Sequence, residues 1–253
     1  MTLQYIEPDW PAPRRVVALS TTRSGGCSRG VYRGLNLGHH VNDDVNAVAA
    51  NRRLLQSELP VGARIAWLTQ VHGTAVISAG GESPYPCADG TWTAQPGVVC
   101  AVLSADCLPV LLCDKKGSAV AAVHAGWRGL LSGILEAALA SIPATPEDIL
   151  VWLGPAIGPT AFEVGPEVRQ HFLSGAAENV RALVDQCFSP SPHLDSHFLA
   201  DLYALARIRL TACGVSRVYG GGFCTLSDPE RFYSYRRDGQ TGRMATVIYL
   251  KPE

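Results

Sequence analysis

The sequence lacks the features that mark several large classes of protein. None of its eight cysteines forms a CxxC pair, which excludes zinc ribbons and thioredoxin-like redox motifs. Polar or charged groups interrupt every apolar run well before the roughly 20 residues that a bilayer-spanning helix needs. Neither a GxxxxGKS/T loop nor a GxGxxG turn opening a helix is present, which excludes P-loop, kinase-like and Rossmann nucleotide binding.

The sequence also lacks an excess of charge of either sign. Lys and Arg total 21 against 22 Asp and Glu, so the formal net charge is −1. We therefore expect no general attraction to nucleic acid or to an anionic membrane. Apolar residues make up 47% and charged residues 17%, which is typical of a globular protein. A length of 253 residues is enough to bury a substantial core without disulfide bonds.

The cysteine settings and the first residues predict a cytoplasmic location. Residues 1–15 show no basic segment followed by an apolar one, which an export signal requires. Cys100, Cys113 and Cys213 lie among apolar neighbours rather than in a polar, loop-rich framework. We therefore expect reduced thiols.

Hydrophobic patterning predicts a single α+β domain over residues 1–253, with helices covering a mixed sheet. The glycine-rich segment 23–38 is predicted to be a loop, and no linker divides the chain. Predicted strands cover residues 14–22, 64–71, 98–107, 109–114, 118–126, 149–158, 216–221 and 245–250. Predicted helices cover residues 45–59, 130–142, 165–173 and 198–212.

Three potential metal ligands are associated with apolar runs. His72 and Cys107 follow predicted strands, and His124 lies near the end of a third. If these strand ends meet, two imidazoles and a thiolate would form a three-ligand site with an open position, as in catalytic zinc sites. Copper also accepts this ligand set. The spacing matches no local metal motif, so the ordinary alternative is three satisfied core residues.

A metal-free interpretation uses the same side chains. Cys107 would be a nucleophile and His124 its base, and sequence spacing cannot separate this arrangement from a metal site. The remaining histidines are predicted to be solvated. The pair His39 and His40 is the exception, because its loop could close over a site.

Arginines beside glycines are candidate anion ligands. Arg23, Arg128 and Arg236 each occupy such a position, where backbone and guanidinium can approach a phosphate or carboxylate together. Arg128 is the strongest candidate because it follows His124 by four residues at a predicted helix start. Surface ion pairing is the ordinary alternative for each.

Two aspartates are candidate partners of these ligands. Asp89 and Asp106 could orient metal-bound imidazoles or transfer protons, as metal-bound histidines commonly require. For Asp89, which precedes a glycine, simple turn formation is the alternative.

A series of tracts, in order between about residues 14 and 250, resembles the bacterial YfiH family, also called the laccase-domain or peptidoglycan-editing-factor family. The tracts include TTRSGG, GLNLG, WLTQVHG, VLSADCLPVLLCD, AAVHAGWRG, WLGPAIGP and SYRRDGQTGR. Gly222 departs from this pattern, because relatives often carry an acidic residue there.

The resemblance implies a fold, a metal and an activity. It implies an α/β/α arrangement with a mixed sheet, and a metal, usually zinc, held by His72, Cys107 and His124. It also implies phosphorolysis of adenosine, inosine and methylthioadenosine, together with adenosine deamination. The expected partners are therefore small molecules, namely a purine nucleoside and phosphate. Older descriptions of the family imply a copper-dependent polyphenol oxidase.

Chemistry favours the nucleoside reactions over oxidation. A His-Cys-His zinc can supply the hydroxide that attacks the purine C6 in deamination. Arg128, with Arg23 or Arg236, could hold phosphate near C1′ of ribose. A laccase uses several coppers and many histidines, whereas this chain has seven histidines and no HxH repeat. A Cys-His hydrolase acting on peptidoglycan precursors, and a metal-stabilised binding protein without turnover, remain as alternatives.

Overall fold

The computed structural model describes residues 3–81 and 83–252; residues 1, 2, 82 and 253 of the predicted domain lie outside the described residues. The strands are β1 (Tyr5–Ile6), β2 (Val16–Thr21), β3 (Arg64–Ala66), β4 (Val76–Ser78), β5 (Gly90–Thr93), β6 (Val98–Ser104), β7 (Leu108–Asp114), β8 (Val120–Ala125), β9 (Ile149–Leu153), β10 (Glu163–Val164), β11 (Phe188–Pro190), β12 (Phe198–Ala200), β13 (Arg217–Gly220) and β14 (Met244–Leu250). The α-helices are α1 (Val45–Ser57), α2 (Trp127–Ser132), α3 (Ile134–Ser141), α4 (Pro166–Gly175), α5 (Glu178–Gln186), α6 (Leu202–Ala212) and α7 (Tyr235–Asp238).

Most strands belong to two mixed sheets. A five-stranded sheet has the order β1-β2-β14-β6-β3, in which β3 runs parallel to β6 and the other neighbours are antiparallel. A six-stranded sheet has the order β13-β9-β7-β8-β5-β4, with parallel pairs at both edges. A small antiparallel sheet contains β10, β12 and β11. The predicted α+β class with mixed β-structure is confirmed. The β-structure consists mainly of two large sheets.

The two large sheets pack face to face, with helices on their outer faces. Leu111 and Ala122 of the six-stranded sheet share a buried cluster with Val102 and Ile248 of the five-stranded sheet. Helix α1 covers the other face of the five-stranded sheet through Leu55. Helices α3 and α6 cover the other face of the six-stranded sheet. Strands β6, β7 and β8 are buried along their whole length because both faces are covered, and their residues are apolar except for Ser104, Asp114 and His124.

Two connections cross between the sheets at the same end of this sandwich. Residues 105–107 join β6 to β7, and residues 67–75 join β3 to β4. Each contains a residue with left-handed backbone: φ is 86° at Asp106 and 61° at His72. Such a conformation costs a non-glycine residue about 1–3 kcal/mol and persists where the surroundings fix it. The end of β8 lies there too, because His124 pairs with Pro109 of β7.

One predicted strand is shorter than expected, and a side chain continues its pairing with the neighbouring strand. The strand predicted over 64–71 ends at Ala66, and the following residues form the crossover. The Gln70 side chain continues the pairing with β6: its Nε2 donates to the Leu103 carbonyl at 2.8 Å, and its Oε1 accepts from the Leu103 amide at 2.7 Å. A glutamine amide can thus mimic a peptide group, which a periodicity argument does not detect.

Two predicted helices differ in their bounds. The helix predicted over 130–142 is interrupted at Gly133, whose φ of 102° ends α2 and precedes α3. The segment 198–212 begins as strand β12, and α6 starts after Asp201, whose carboxylate accepts from the Ala204 amide. None of the helices in the described residues has the length and apolar character needed to cross a bilayer.

The glycine-rich segment 23–38 is held in place by a buried amide. Asn51 of α1 is fully buried. Its Oδ1 accepts from the Cys27 amide at 2.8 Å, and its Nδ2 donates to the Asn36 carbonyl at 2.9 Å and the Gly34 carbonyl at 3.3 Å. The buried side chains of Leu35 and Leu37 and the amide of Asn51 together fix this loop against α1.

We expect Asn51→Asp to lower the free energy of unfolding by about 2–4 kcal/mol, because a carboxylate cannot donate to the two carbonyls and would be buried. Urea denaturation followed by circular dichroism measures this change. Asn46→Asp, on the exposed first turn of the same helix, is the matched control and should leave stability unchanged. Equal stabilities for both variants would contradict the role given to Asn51.

Candidate metal centre

His72, Cys107 and His124 come together at the end of the sandwich where the sheets are connected. One ligand atom from each lies within 4.8 Å of the other two. Cys107 Sγ is 3.6 Å from His72 Nε2, and the two imidazole rings are 4.8 Å apart between centroids. His124 is buried, Cys107 is half-buried and His72 is exposed. The group therefore has a closed side within the protein and an open side towards solvent.

Each ligand comes from a different connection or strand end. His124 lies near the end of β8, and Cys107 immediately precedes β7, its antiparallel neighbour. His72 lies six residues beyond the end of β3, in the crossover, rather than at the end of a strand as the sequence predicted. The left-handed backbone at His72 and Asp106 turns both crossovers sharply beside the group.

The dimensions and donor types fit zinc. At Zn–S of about 2.3 Å and Zn–N of about 2.0–2.1 Å, tetrahedral geometry separates a thiolate from an imidazole nitrogen by about 3.6 Å. The distance between Cys107 Sγ and His72 Nε2 is 3.6 Å. Copper accepts the same donors, so the site fits a metal without selecting between these two.

Asp89 organises the group through four hydrogen bonds. Its Oδ1 accepts from His124 Nδ1 at 2.8 Å and from the His72 amide at 2.9 Å. Its Oδ2 accepts from the amides of Gly73 at 2.7 Å and Val71 at 3.1 Å. Because Nδ1 of His124 is engaged, Nε2 is the nitrogen available to a metal. One fully buried carboxylate thus fixes two ligands at once.

The charges of the group stabilise one another. Burial opposes ionisation of Asp89, but hydrogen bonds from His124, Gly73 and Val71 outweigh it and lower the pKa of the carboxyl group. Burial would raise the pKa of the Cys107 thiol, yet His124 and His72 lower it. Burial would lower the pKa of His124, yet Cys107 and Asp89 raise it. Cys107 is therefore disposed to be a thiolate, the form that binds metals.

Gly126 allows the ligands to approach each other. A Cβ at this position would lie 2.8 Å from His72 Cδ2 and 3.1 Å from Cys107 Sγ. Its φ of −60° is accessible to any residue, so space and not backbone conformation requires glycine here. The glycine of the HAGWRG tract therefore has a packing role next to the group.

A cavity of about 570 Å³ opens onto the three ligands. Arg128, Arg236 and Arg243 contribute cationic groups to its wall, and Trp127, Phe162 and Tyr235 contribute aromatic rings. Within the described residues, no ion pair includes any of these three arginines. The cavity therefore combines a metal-binding group, unpaired positive charge and flat apolar surface.

The arginines predicted from the sequence separate into two locations. Arg128 and Arg236 line the cavity. Arg23 lines a different cavity, formed by the glycine-rich loop. Its guanidinium donates to the Pro229 carbonyl at 3.0 Å and lies 4.6 Å from the centre of the Tyr233 ring. Arg23 is thus engaged in holding loops together.

The two predicted aspartates also differ. Asp89 contacts His124 directly. Asp106 lines the cavity, but its carboxylate accepts from Thr225 Oγ1 at 2.6 Å and from the Arg236 amide at 2.7 Å. Asp106 therefore ties the start of α7 to the crossover that carries Cys107.

Sequence reasoning missed several residues of the cavity. Arg243, Phe162 and Tyr235 line it although none stood out individually, and Ser104 of the VLSADCLPVLLCD tract lines it too. Arg243 is within the SYRRDGQTGR tract, so the tract itself was the available signal. His40 also lines the cavity, as the loop position of the histidine pair allowed. Burial and the charge of Arg243 lower the pKa of His40 to about 4, so it is neutral at neutral pH.

Comparison with known proteins identifies the family. The sequence profile of the family described as multi-copper polyphenol oxidoreductase laccase matches residues 17–251. A Pseudomonas aeruginosa protein named purine nucleoside phosphorylase is 53% identical over 247 residues, covering 98% of each chain. Purine nucleoside phosphorylase YfiH of Escherichia coli is 48% identical over 249 residues, covering 98% of this chain and 99% of that protein.

Solved structures agree with these sequence relationships. A Neisseria meningitidis protein has a TM-score of 0.90 and 46% identity, covering 98% of this chain and 99% of its own. YlmD from Geobacillus stearothermophilus has a TM-score of 0.85 and 32% identity, covering 98% and 96% of the two chains. The chain belongs to the laccase-domain family that includes YfiH, which confirms the resemblance seen in the sequence.

We expect Gly126→Ala to weaken metal binding by about tenfold or more, because the added methyl group would push His72 and Cys107 apart. Competition with a chromophoric chelator measures the affinity. Gly222→Ala is the control, since a Cβ there meets no atom within 4 Å. Equal affinities in both variants would show that the ligands do not meet beside Gly126.

We expect Asp89→Asn to weaken metal binding by about 10–100-fold, because an amide nitrogen would replace one of the two accepting oxygens. Asp114→Asn is a matched control: its carboxylate also accepts backbone amides, including those of Ser118 and Ala119, but in the turn between β7 and β8. The control should lose stability without losing metal affinity. If both variants lost affinity equally, the effect would belong to the fold and not to Asp89.

Proposed function

We propose that this protein is a zinc-dependent purine nucleoside phosphorylase that also deaminates adenosine. The observation that carries the proposal is one cavity in which the His72, Cys107 and His124 group faces three arginines without carboxylate partners. A cavity of this kind suits a substrate that has a polarisable reacting centre and requires an anionic co-substrate. The names of the related proteins from Pseudomonas aeruginosa and Escherichia coli support the same activity.

The aromatic residues of the cavity suit a purine. The Phe162 side chain is 8% exposed, whereas Tyr235 is 61% exposed at the opening. The Arg128 guanidinium lies 4.4 Å from the centre of the Trp127 ring and forms a cation–π pair with it. This pair extends the flat surface. Flat rings of this kind bind a base by stacking and leave the ribose to face the polar groups.

Phosphorolysis requires the cavity to hold phosphate close to the ribose. A phosphate oxygen forms a bond to C1′ as the bond between C1′ and N9 breaks. The electron pair of that bond goes to the purine, which takes up a proton, and ribose 1-phosphate remains. Cationic groups of the cavity wall would hold the phosphate and stabilise its charge during transfer, while the surrounding walls orient the nucleoside.

Deamination uses water in place of phosphate, so adenosine and water give inosine and ammonia. When bound to His72, Cys107 and His124, zinc supplies Lewis acidity and lowers the pKa of water to about 7. Asp89 keeps His124 in the tautomer that leaves Nε2 free, and its bonds to the His72 segment keep the second imidazole in place.

The description of the family supplies a second candidate, copper-dependent phenol oxidation. In the described residues, the one group of His, Cys, Asp and Glu side chains that could hold a metal is the His-Cys-His group. A multicopper relay to oxygen needs several such groups. Oxygen uptake that follows copper loading and exceeds nucleoside turnover would favour oxidation over our proposal.

The whole chain is proposed to be one catalytic domain, because the cavity draws residues from His40 to Arg243. We also infer a cytoplasmic setting. All eight cysteines are free thiols, which suits a reducing compartment.

We expect purified protein to contain zinc and to convert adenosine and phosphate into adenine and ribose 1-phosphate, with inosine as a second product. Elemental analysis and chromatography of the products measure both. His124→Ala and Cys107→Ser should lose metal and reduce turnover by more than about 100-fold, since even partners of metal ligands cost 10–100-fold. His171→Ala, on the exposed face of α4, is the control and should be unaffected.

Other outcomes of this experiment would favour the alternatives. Turnover that persists without metal, and stops when Cys107 is alkylated, would indicate the thiol hydrolase mechanism. Loss of thermal stability on chelation with no activity before or after would indicate a structural metal. Full nucleoside turnover in His124→Ala would overturn the proposal.

A further inference from the structure

We infer that Arg243 and Ser104 bind the attacking phosphate, whereas Arg128 and Arg236 serve the nucleoside side of the cavity. This inference rests on the proposed phosphorolysis. It names the residues that would bind phosphate, the co-substrate that replaces water in that reaction. It also separates the two proposed reactions, because deamination needs no phosphate.

The backbone and stem of Arg243 are held on three sides. Its amide donates to Asn36 Oδ1 at 2.9 Å, and its carbonyl accepts from the Leu37 amide at 3.1 Å. Gly38 makes room for the side chain, because a Cβ there would lie 2.8 Å from Arg243 Cγ. The GLNLG tract thus holds this arginine in place. The tract is itself bonded to α1 through the Asn51 side chain.

The guanidinium of Arg243 is fixed but not neutralised. Its Nη1 donates to the carbonyls of Thr241 and Gly242, both at 2.9 Å. Within the described part of the chain, its Nε and Nη2 have no hydrogen-bond partner and no carboxylate forms an ion pair with it. The nearby Asp106 carboxylate is already engaged by Thr225 and the Arg236 amide. A half-buried cation in this state favours a bound anion.

Ser104 provides the second donor. It is 2% exposed, and its Oγ has no hydrogen-bond partner among the described residues although it lines the cavity. Ser104 of β6 pairs with Met244, the first residue of β14, and Arg243 directly precedes Met244. A buried hydroxyl without a partner is costly, and a phosphate oxygen held by Arg243 would satisfy it.

The other two cavity arginines are placed differently. Arg128 and Arg236 are exposed, whereas Arg243 is half-buried. The Arg128 guanidinium lies over Trp127. Arg236 donates from Nη1 to the Glu163 carbonyl at 2.7 Å and lies 5.4 Å from the centre of the Phe162 ring. All three guanidinium groups lie near aromatic rings, since that of Arg243 is 5.8 Å from the centre of the Tyr235 ring; Arg128 and Arg236 differ from it in being exposed. Arg243 loses less conformational freedom on binding an anion, because its stem is already fixed.

Arg243→Met should raise the KM for phosphate by about 10–100-fold, the loss expected for hydrogen bonds to a charged group. The rise in the KM for phosphate should exceed any change in the KM for adenosine and in the rate of phosphate-independent deamination. Arg243→Lys and Ser104→Ala should show smaller rises in the KM for phosphate. If Arg243→Met fails to fold, these two variants still test the inference. Arg181→Met, on the exposed surface of α5, is the control and should change neither reaction.

A binding measurement separates this inference from the proposed function. Inorganic phosphate titrated calorimetrically into the purified protein should bind, and the affinity should fall in Arg243→Met and Ser104→Ala but not in Arg181→Met. Absence of phosphorolysis in the wild type, with this pattern intact, would reject the proposed function and keep the anion site. Phosphorolysis with an unchanged phosphate KM in the Arg243 and Ser104 variants, and a raised one in Arg128→Met, would overturn the inference.

Discussion

The carboxylate of Asp89 is the interaction on which the candidate site depends. It lies between the crossover that carries His72 and the strand that carries His124, and it accepts hydrogen bonds from both. The His124 amide also donates to the Asp89 carbonyl at 2.7 Å, so both the main chain and the side chain of Asp89 are bonded to β8. Since the carboxylate is fully buried, its four donors compensate for the loss of water, and the cost of breaking any one is high.

The stacking of the two sheets explains why the site lies where it does. At this end of the sandwich, the β3–β4 and β6–β7 connections pass from the five-stranded sheet to the six-stranded sheet. Each of these connections contains one residue with left-handed backbone, His72 in one and Asp106 in the other. The strained turns bring a sulfur atom and an imidazole to the same place, and the cavity is the space that remains between the layers and α7.

The three candidate ligands could be singled out because they lie beside apolar runs and within tracts that resemble the YfiH family, although their spacing alone matches no metal motif. The arrangement of the sheets could not, since a strand that is apolar on both faces does not reveal which layer it joins. Arg243 was missed for a similar reason. Its role depends on the Asn36 amide and on Gly38, more than 200 positions earlier in the chain, and no local pattern records that contact. Arg23 has the same kind of glycine setting but occupies another cavity.

The separate origins of the three candidate ligands bear on how a metal would be bound. One comes from each crossover and one from the end of β8; His72 and Cys107 are 35 positions apart in the chain, and Cys107 and His124 are 17 positions apart. An unfolded chain therefore offers no preformed chelate, unlike a zinc finger whose ligands are neighbours. A metal held by this group would therefore be bound by the folded chain, in which the two sheets are already docked.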